Sequence, residues 1–175
     1  MAPKSIVAKF ADALEKFELT NCQLSDTNLT QIREVLATLL LQIPHDEMEV
    51  THNLIVLIWP VVAYTTRYGA DFSKPARVGA YNGTIDDDAT AVVCARTEAV
   101  HTDKCADRGT YKMARRKTAQ FILAVNKDTW VQKLRDPETF YTDVAPKALL
   151  SHVQEGCTGH HALDLLSLHN KMQRY

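Results

Sequence analysis

The residues from His52 to Gly69, HNLIVLIWPVVAYTTRYG, form an almost uninterrupted apolar run, and no other feature constrains the fold of this chain as strongly. Such a run crosses a membrane, lines a ligand pocket or fills a core. Its apolar part, Leu54 to Ala63, is about half of the roughly 20 residues that a bilayer span needs. Pro60 interrupts it, and Thr65, Thr66 and Arg67 follow, so a membrane span is not expected. The run should instead make a buried helix, kinked or split at Pro60, whose ring nitrogen carries no hydrogen to donate. Gly69 suits the left-handed residue that closes a helix. A helix that is apolar all round must be covered on several sides, which places this one at the centre of the fold.

Partners for that centre are legible on either side. Ile6, Phe10, Leu14 and Phe17 recur at helical spacing within Ser5 to Leu19, with acids and lysines between them. After the polar break TNCQLSDTN comes a second stripe of Leu29, Ile32, Leu36, Leu39, Leu40 and Ile43, with Ser25 or Asp26 able to cap its start and Pro44 to close it. Residues 70–85, ADFSKPARVGAYNGTI, carry Pro, two Gly and an Asn-Gly pair, and predict a long loop. Asp86, Asp87 and Asp88 then precede a helical pattern running to about Val125, in which Gly109 is the expected point of bending. Acids at its start and Lys112, Arg115, Arg116 and Lys117 late in the run match the helix dipole.

Further on, DTWVQKLRD predicts a short helix carrying Trp130 and Leu134. Asp136-Pro137-Glu138 and Ala145-Pro146 each look like a helix start with Pro at its first position. A helix from Lys147 to Glu155 should stop at Gly156, and a last one should begin near His160. No period-two pattern appears, so the expected class is all-α, a multi-helix bundle with one long loop. The signals divide the chain into 1–69, the loop 70–85, and 86–175, with the first and last packing as one domain.

A net charge of −1, with 46% hydrophobic and 23% charged residues, is that of an ordinary globular protein and excludes a surface built wholly to hold nucleic acid. The N-terminus has no long apolar segment of a secretory signal, and position 2 is not the glycine that myristoylation requires. Cys22, Cys94, Cys105 and Cys157 show no C-x-x-C spacing and read as reduced intracellular thiols.

Candidate chemistry is sparse. Cys94, His101 and Cys105 share one helical face, but residues seven apart on a helix are separated by about 10 Å, too far to share one metal ion. Cys157, His160, His161 and His169 supply only one of the thiols a zinc knuckle needs, and Asp86 to Asp88 are accounted for as helix caps. Lys104, Arg108, Lys112, Arg115, Arg116 and Lys117 form a basic stripe that could follow phosphates, with Tyr111 the one aromatic nearby. The usual signatures of hydrolases, nucleotide-binding loops and metalloproteases are absent, so no enzyme and no cofactor or small-molecule substrate is expected. A thiol hydrolase built on Cys94 or Cys105 with a histidine would require an unusually reactive cysteine.

Three segments, IPHDEMEVTHNLIVLIWPVVAYTTRYGADFSKPARVGAYNGTID, EAVHTDKCADRGTYKMARR and DTWVQKLRDPETFYTDVAPKALLSHVQEGCTGHHALDLLSLHNKM, taken in order resemble the Gag polyproteins of copia-type LTR retrotransposons. The resemblance runs from about Leu36 onward and rests on order and spacing. Its parts are the Pro-acid turn before His52-Asn53-Leu54, the Tyr68-Gly69 helix end, and the series Trp130, Leu134, Tyr141, Leu149 and Leu150.

That family implies a cytoplasmic structural protein whose helical capsid region self-associates into a virus-like particle around RNA. It implies a homo-oligomer, with RNA an indirect or weak partner, and no membrane. Leu54, Ile55, Leu57, Ile58 and Trp59, with the series just named, would then be core or assembly residues. In the family a zinc knuckle usually follows, whereas this sequence stops at Tyr175, which reads as a C-terminally truncated copy. Apolar residues of the last helix, Leu163, Leu166 and Met172, are then expected at the surface. The alternative is a helical module that binds nucleic acid or another protein through its basic helix face.

Overall fold

The stripe that begins at Leu29 folds as the first long helix, α1 (Asp26–Leu41), and turns Leu29, Ile32, Leu36 and Leu40 onto one buried face. The computed structural model describes residues 8, 12–14, 26–43, 53–77, 79, 90–126 and 131–156. Of the N-terminal amphipathic segment, positions 8 and 12–14 are described, all helical, and Leu14 joins the core. Ile6, Phe10 and Phe17 lie outside the described residues, as do Ser25, Pro44, Asp86 to Asp88, Trp130 and everything after Gly156, including Leu163, Leu166 and Met172.

The apolar run does not form one helix. Leu54–Leu57 make a single 3-10 turn, and Pro60 ends that piece and serves as the N-cap of a separate helix, α2 (Val61–Tyr68). Proline suits this place because the first amides of a helix have no partner to lose. Gly69 then closes α2 at φ 73°, donating its amide to Thr65 O at 2.8 Å.

The first half of the run supplies most of its core residues, and beyond Pro60 Tyr64 alone is buried. Leu54, Ile55, Leu57 and Ile58 are buried, and the turn they form packs on α1, on α2 and on the third helix, α3 (Ala91–Val125). In α2 the inward face belongs to Tyr64 and Tyr68, one turn apart, so Val61 and Val62 are left 49% and 77% exposed. The expectation of a helix covered on all sides therefore fails beyond Pro60. Trp59, at the break, is half-buried.

Asn53 anchors the turn. Its buried side chain accepts the Ile55 amide at 3.0 Å and donates to Tyr68 Oη at 2.8 Å. Tyr64 beside it is wholly buried, and burial pushes its phenol above the ordinary value. From there an aromatic series runs outward: Tyr64 meets Tyr68 at 4.7 Å and Phe72 at 5.9 Å between ring centroids, and Phe72 stacks on Tyr111 of α3 at 5.9 Å.

Helix α3 is continuous through Gly109 and divides into two parts. It has no fully buried residue before Ala114, after which Ala114, Thr118, Phe121 and Ile122 face the core. Neither its first turn is acidic nor its last turn basic. The dipole match read from the sequence is thus not made within the helix, because Lys117 is followed by two further turns of mostly apolar residues. Past a short 3-10 turn, Gln132–Leu134, the helical residues 146–156 form α4, opened by Pro146 as its sequence implies. Leu149, Leu150 and Val153 bury its inner face, while Leu134 is partly buried against the core.

Among the described residues there is no strand, and the class is all-α, with one isolated antiparallel bridge between Asp136 and Phe140. No helix among them is long and apolar enough to cross a membrane.

The two glycines that bear on helix geometry should respond oppositely to a methyl group. A Cβ at Gly69 or at Gly109 meets nothing within 4 Å, so backbone conformation alone decides. Gly69→Ala should lower stability by about 1–2 kcal/mol, the cost of left-handed backbone for an L-residue. Gly109→Ala should raise it by about 0.5–1 kcal/mol. Urea unfolding of the two variants measures both signs.

Candidate nucleic-acid interface

One face of α3 and two segments distant in sequence enclose a groove of about 600 Å³. Of the six cationic residues in the basic stripe, Arg108, Lys112, Arg115 and Arg116 line it; Lys104 and Lys117 do not. The loop after α2 adds Lys74, whose ammonium lies 5.9 Å from the centre of the Tyr111 ring. Among the described residues no Asp or Glu side chain lines the groove, and its five cationic side chains favour anions there.

Arg108 and Arg115 do different work from the other cations. Arg108 is half-buried and donates from Nη1 to the Pro75 carbonyl, which ties the loop to α3. Its Nε is also buried, without a hydrogen-bond partner among the described residues. Arg115 donates from Nη2 to the Asp143 carbonyl at 2.8 Å and holds the segment before α4 against the same helix. Lys112 and Arg116, one helical turn apart, are exposed and make no ion pair or hydrogen bond among the described residues. Among the described residues nothing takes up their charge, and Lys74 joins them as an exposed cation of the groove.

The opposite wall comes from a turn that the sequence misrepresents. Asp136-Pro137-Glu138 resembles a helix start, but Asp136 and Phe140 exchange backbone hydrogen bonds of 2.8 and 3.0 Å and close a tight turn between them. The Asp136 carboxylate accepts the amides of Glu138 and Thr139, both at 2.8 Å. Donors fixed locally in this way compete with helix formation, the tendency that makes Asp a turn residue. Phe140 leaves the turn at φ 55° and is 50% exposed, with the Arg135 guanidinium 4.7 Å from its ring centre. Phe140 and Tyr141 both line the groove. The aromatic groups that the basic stripe lacks in sequence are therefore supplied by tertiary contact.

A second groove, of about 710 Å³, lies beside the exposed end of the apolar run. Trp59, Pro60, Val61 and Ala63 form one side of it, and α1 and α4 form the other, joined by a 2.7 Å hydrogen bond from Arg33 Nη2 to Gln154 Oε1.

The thiols offer little. Cys105 Sγ lies 3.6 Å from His101 Nε2, with Cys94 half-buried on the same helix. Among the described residues, no three His, Cys, Asp or Glu side chains converge as a metal site would require. Cys22, Cys157, His160, His161 and His169 lie outside the described residues.

Comparison of the chain with protein-family models, curated proteins and solved structures finds no match.

The turn should report its own titration. Amides of Thr139 and Glu138 stabilise the charged Asp136 carboxylate and hold its pKa below the ordinary 3.8. The turn's contribution to stability is then present above that ordinary value and is lost as pH falls through the depressed one. NMR shifts of the Glu138 and Thr139 amides should titrate together below pH 3.8. In Asp136→Ala the titration should vanish and both amides should exchange faster at neutral pH.

Proposed function

We propose that this chain is a structural assembly protein of the copia-type Gag kind, which acts in the cytoplasm by associating with copies of itself around RNA. The observation that supports this best is the surface at Trp59 to Val62. An apolar run that folding would ordinarily hide ends in two solvent-facing valines, beside a groove large enough to receive a side chain from a second copy. Assembly by matching surfaces needs no site chemistry. The resemblance in sequence adds the family, and with it the particle.

Self-association should appear as a concentration-dependent rise in sedimentation coefficient in the absence of RNA. The double substitution Val61→Lys and Val62→Lys should abolish that rise and leave the free energy of unfolding in urea within about 0.5 kcal/mol of wild type, as exposed positions allow. A wild-type chain that stays monomeric at every concentration tested would remove the reading.

The basic groove favours a second reading, a nucleic-acid-binding module. Lys112 and Arg116 would bind phosphates, while Arg108 and Arg115, committed to carbonyl groups, shape the groove. On this reading RNA affinity falls steeply with salt, and Lys112→Ala with Arg116→Ala reduces the slope of log K against log salt by about 1.4, or 0.7 per phosphate contact on a single strand. An unchanged slope would assign the contacts elsewhere.

A further inference from the structure

The groove contains more than positive charge. Its cationic side is a helix, its aromatic side is the turn around Phe140, and the Arg115–Asp143 hydrogen bond fixes the two against each other. Half of the Phe140 surface is in solvent, although a phenylalanine gains about 1.5–3 kcal/mol by full burial. Its backbone also occupies a region that L-residues other than Asn and Asp seldom enter. Both features run against stability, and both result in an aromatic ring at the rim of a cationic groove. Strain of this kind is characteristic of ligand clamps.

The ring is also prepared electrostatically. Arg135, which does not line the groove, stacks its guanidinium 4.7 Å from the Phe140 centroid. It fixes the ring and covers part of it, while the remainder borders the groove. Tyr141 lies next to Phe140, and Tyr111 faces them from α3, held by Phe72 behind it and Lys74 beside it.

A flat apolar ring beside a line of cations suits a ligand that alternates flat bases with phosphates. In a duplex the bases are stacked on one another and cannot reach a ring at the rim. In a single strand they can. We infer that this groove binds single-stranded nucleic acid, stacking a base on Phe140 and holding the adjoining phosphates with Lys112 and Arg116. The inference rests on the second reading above and specifies its ligand: an unpaired strand, recognised with little dependence on sequence because every base has a flat face.

The test measures binding of labelled short oligoadenylate, an abasic ribose-phosphate strand of equal length, and duplex RNA. Wild type should bind oligoadenylate most tightly. Phe140→Gly suits the positive φ and removes the ring without straining the turn. It should weaken oligoadenylate binding by about ten-fold, within the range of one lost base stack, and leave the abasic strand unaffected. Phe140→Trp should retain wild-type binding. Lys112→Ala with Arg116→Ala should weaken both single strands alike.

Equal wild-type affinity for the abasic strand and for oligoadenylate would overturn the stacking and leave the phosphate contacts standing. So would a Phe140→Gly variant that binds as wild type does. Tighter binding of duplex than of single strand would overturn the choice of ligand. Failure of every strand to bind at low salt would remove the nucleic-acid reading itself, and this inference with it.

Discussion

Everything described in this fold depends on burying one short, irregular piece of backbone, the turn Leu54–Leu57. A single four-residue turn satisfies few of its own amides, and one placed in a core must find other partners. Asn53 provides them, its carbonyl oxygen taking the Ile55 amide and its amide group reaching Tyr68 on the next element. Removing that side chain would leave the buried Ile55 amide without its partner, a loss of about 1–3 kcal/mol, and would free the Tyr68 hydroxyl from its tie to the turn. With the turn secured, Leu54, Ile55, Leu57 and Ile58 can bind α1, α2 and α3 around one centre.

That centre reaches the groove through side chains. Tyr68, Tyr64, Phe72 and Tyr111 form a contiguous aromatic series from Asn53 to the wall of the groove, and Lys74 ends it at the surface. The loop that carries Phe72 and Lys74 is held at its other side by the Arg108 contact to Pro75. A residue of irregular structure thus takes a defined place because aromatic packing and a charge-assisted hydrogen bond act on it from two sides. The turn that carries Phe140 is placed in the same way, by the Asp136 carboxylate within and by Arg115 from α3.

The two surfaces proposed to act are products of the same economy of burial. Pro60 ends the central turn before the apolar run is used up, so the surplus valines face solvent. Helix α3 has no buried residue before Ala114, and among the described residues its cationic face is met by the loop after α2 and by the turn around Phe140. The proposed self-association and the proposed strand binding would accordingly use different residues, Trp59 to Val62 in one case and Lys112, Arg116 and Phe140 in the other. They can be disabled separately.

By itself the sequence determined the elements whose signals are local. The stripe from Leu29 to Leu40, the break at Pro60, the cap at Gly69, the long basic helix and the start at Pro146 all follow from periodicity, a missing amide hydrogen or a permitted backbone angle. The four stripe cations that line the groove could be named for the same reason, since helical spacing fixes which residues share a face. Tertiary structure alone decided which half of the apolar run is buried, because burial depends on what packs against a residue and not on its own hydropathy. It also decided that Asp136 starts a turn, and that Phe140, Tyr141 and Lys74 stand across from Lys112 and Arg116. Those residues belong to separate segments, and the packing of Tyr111 and the hydrogen bonds of Arg108 and Arg115 bring them together, interactions between positions 28 to 39 residues apart that no local pattern encodes.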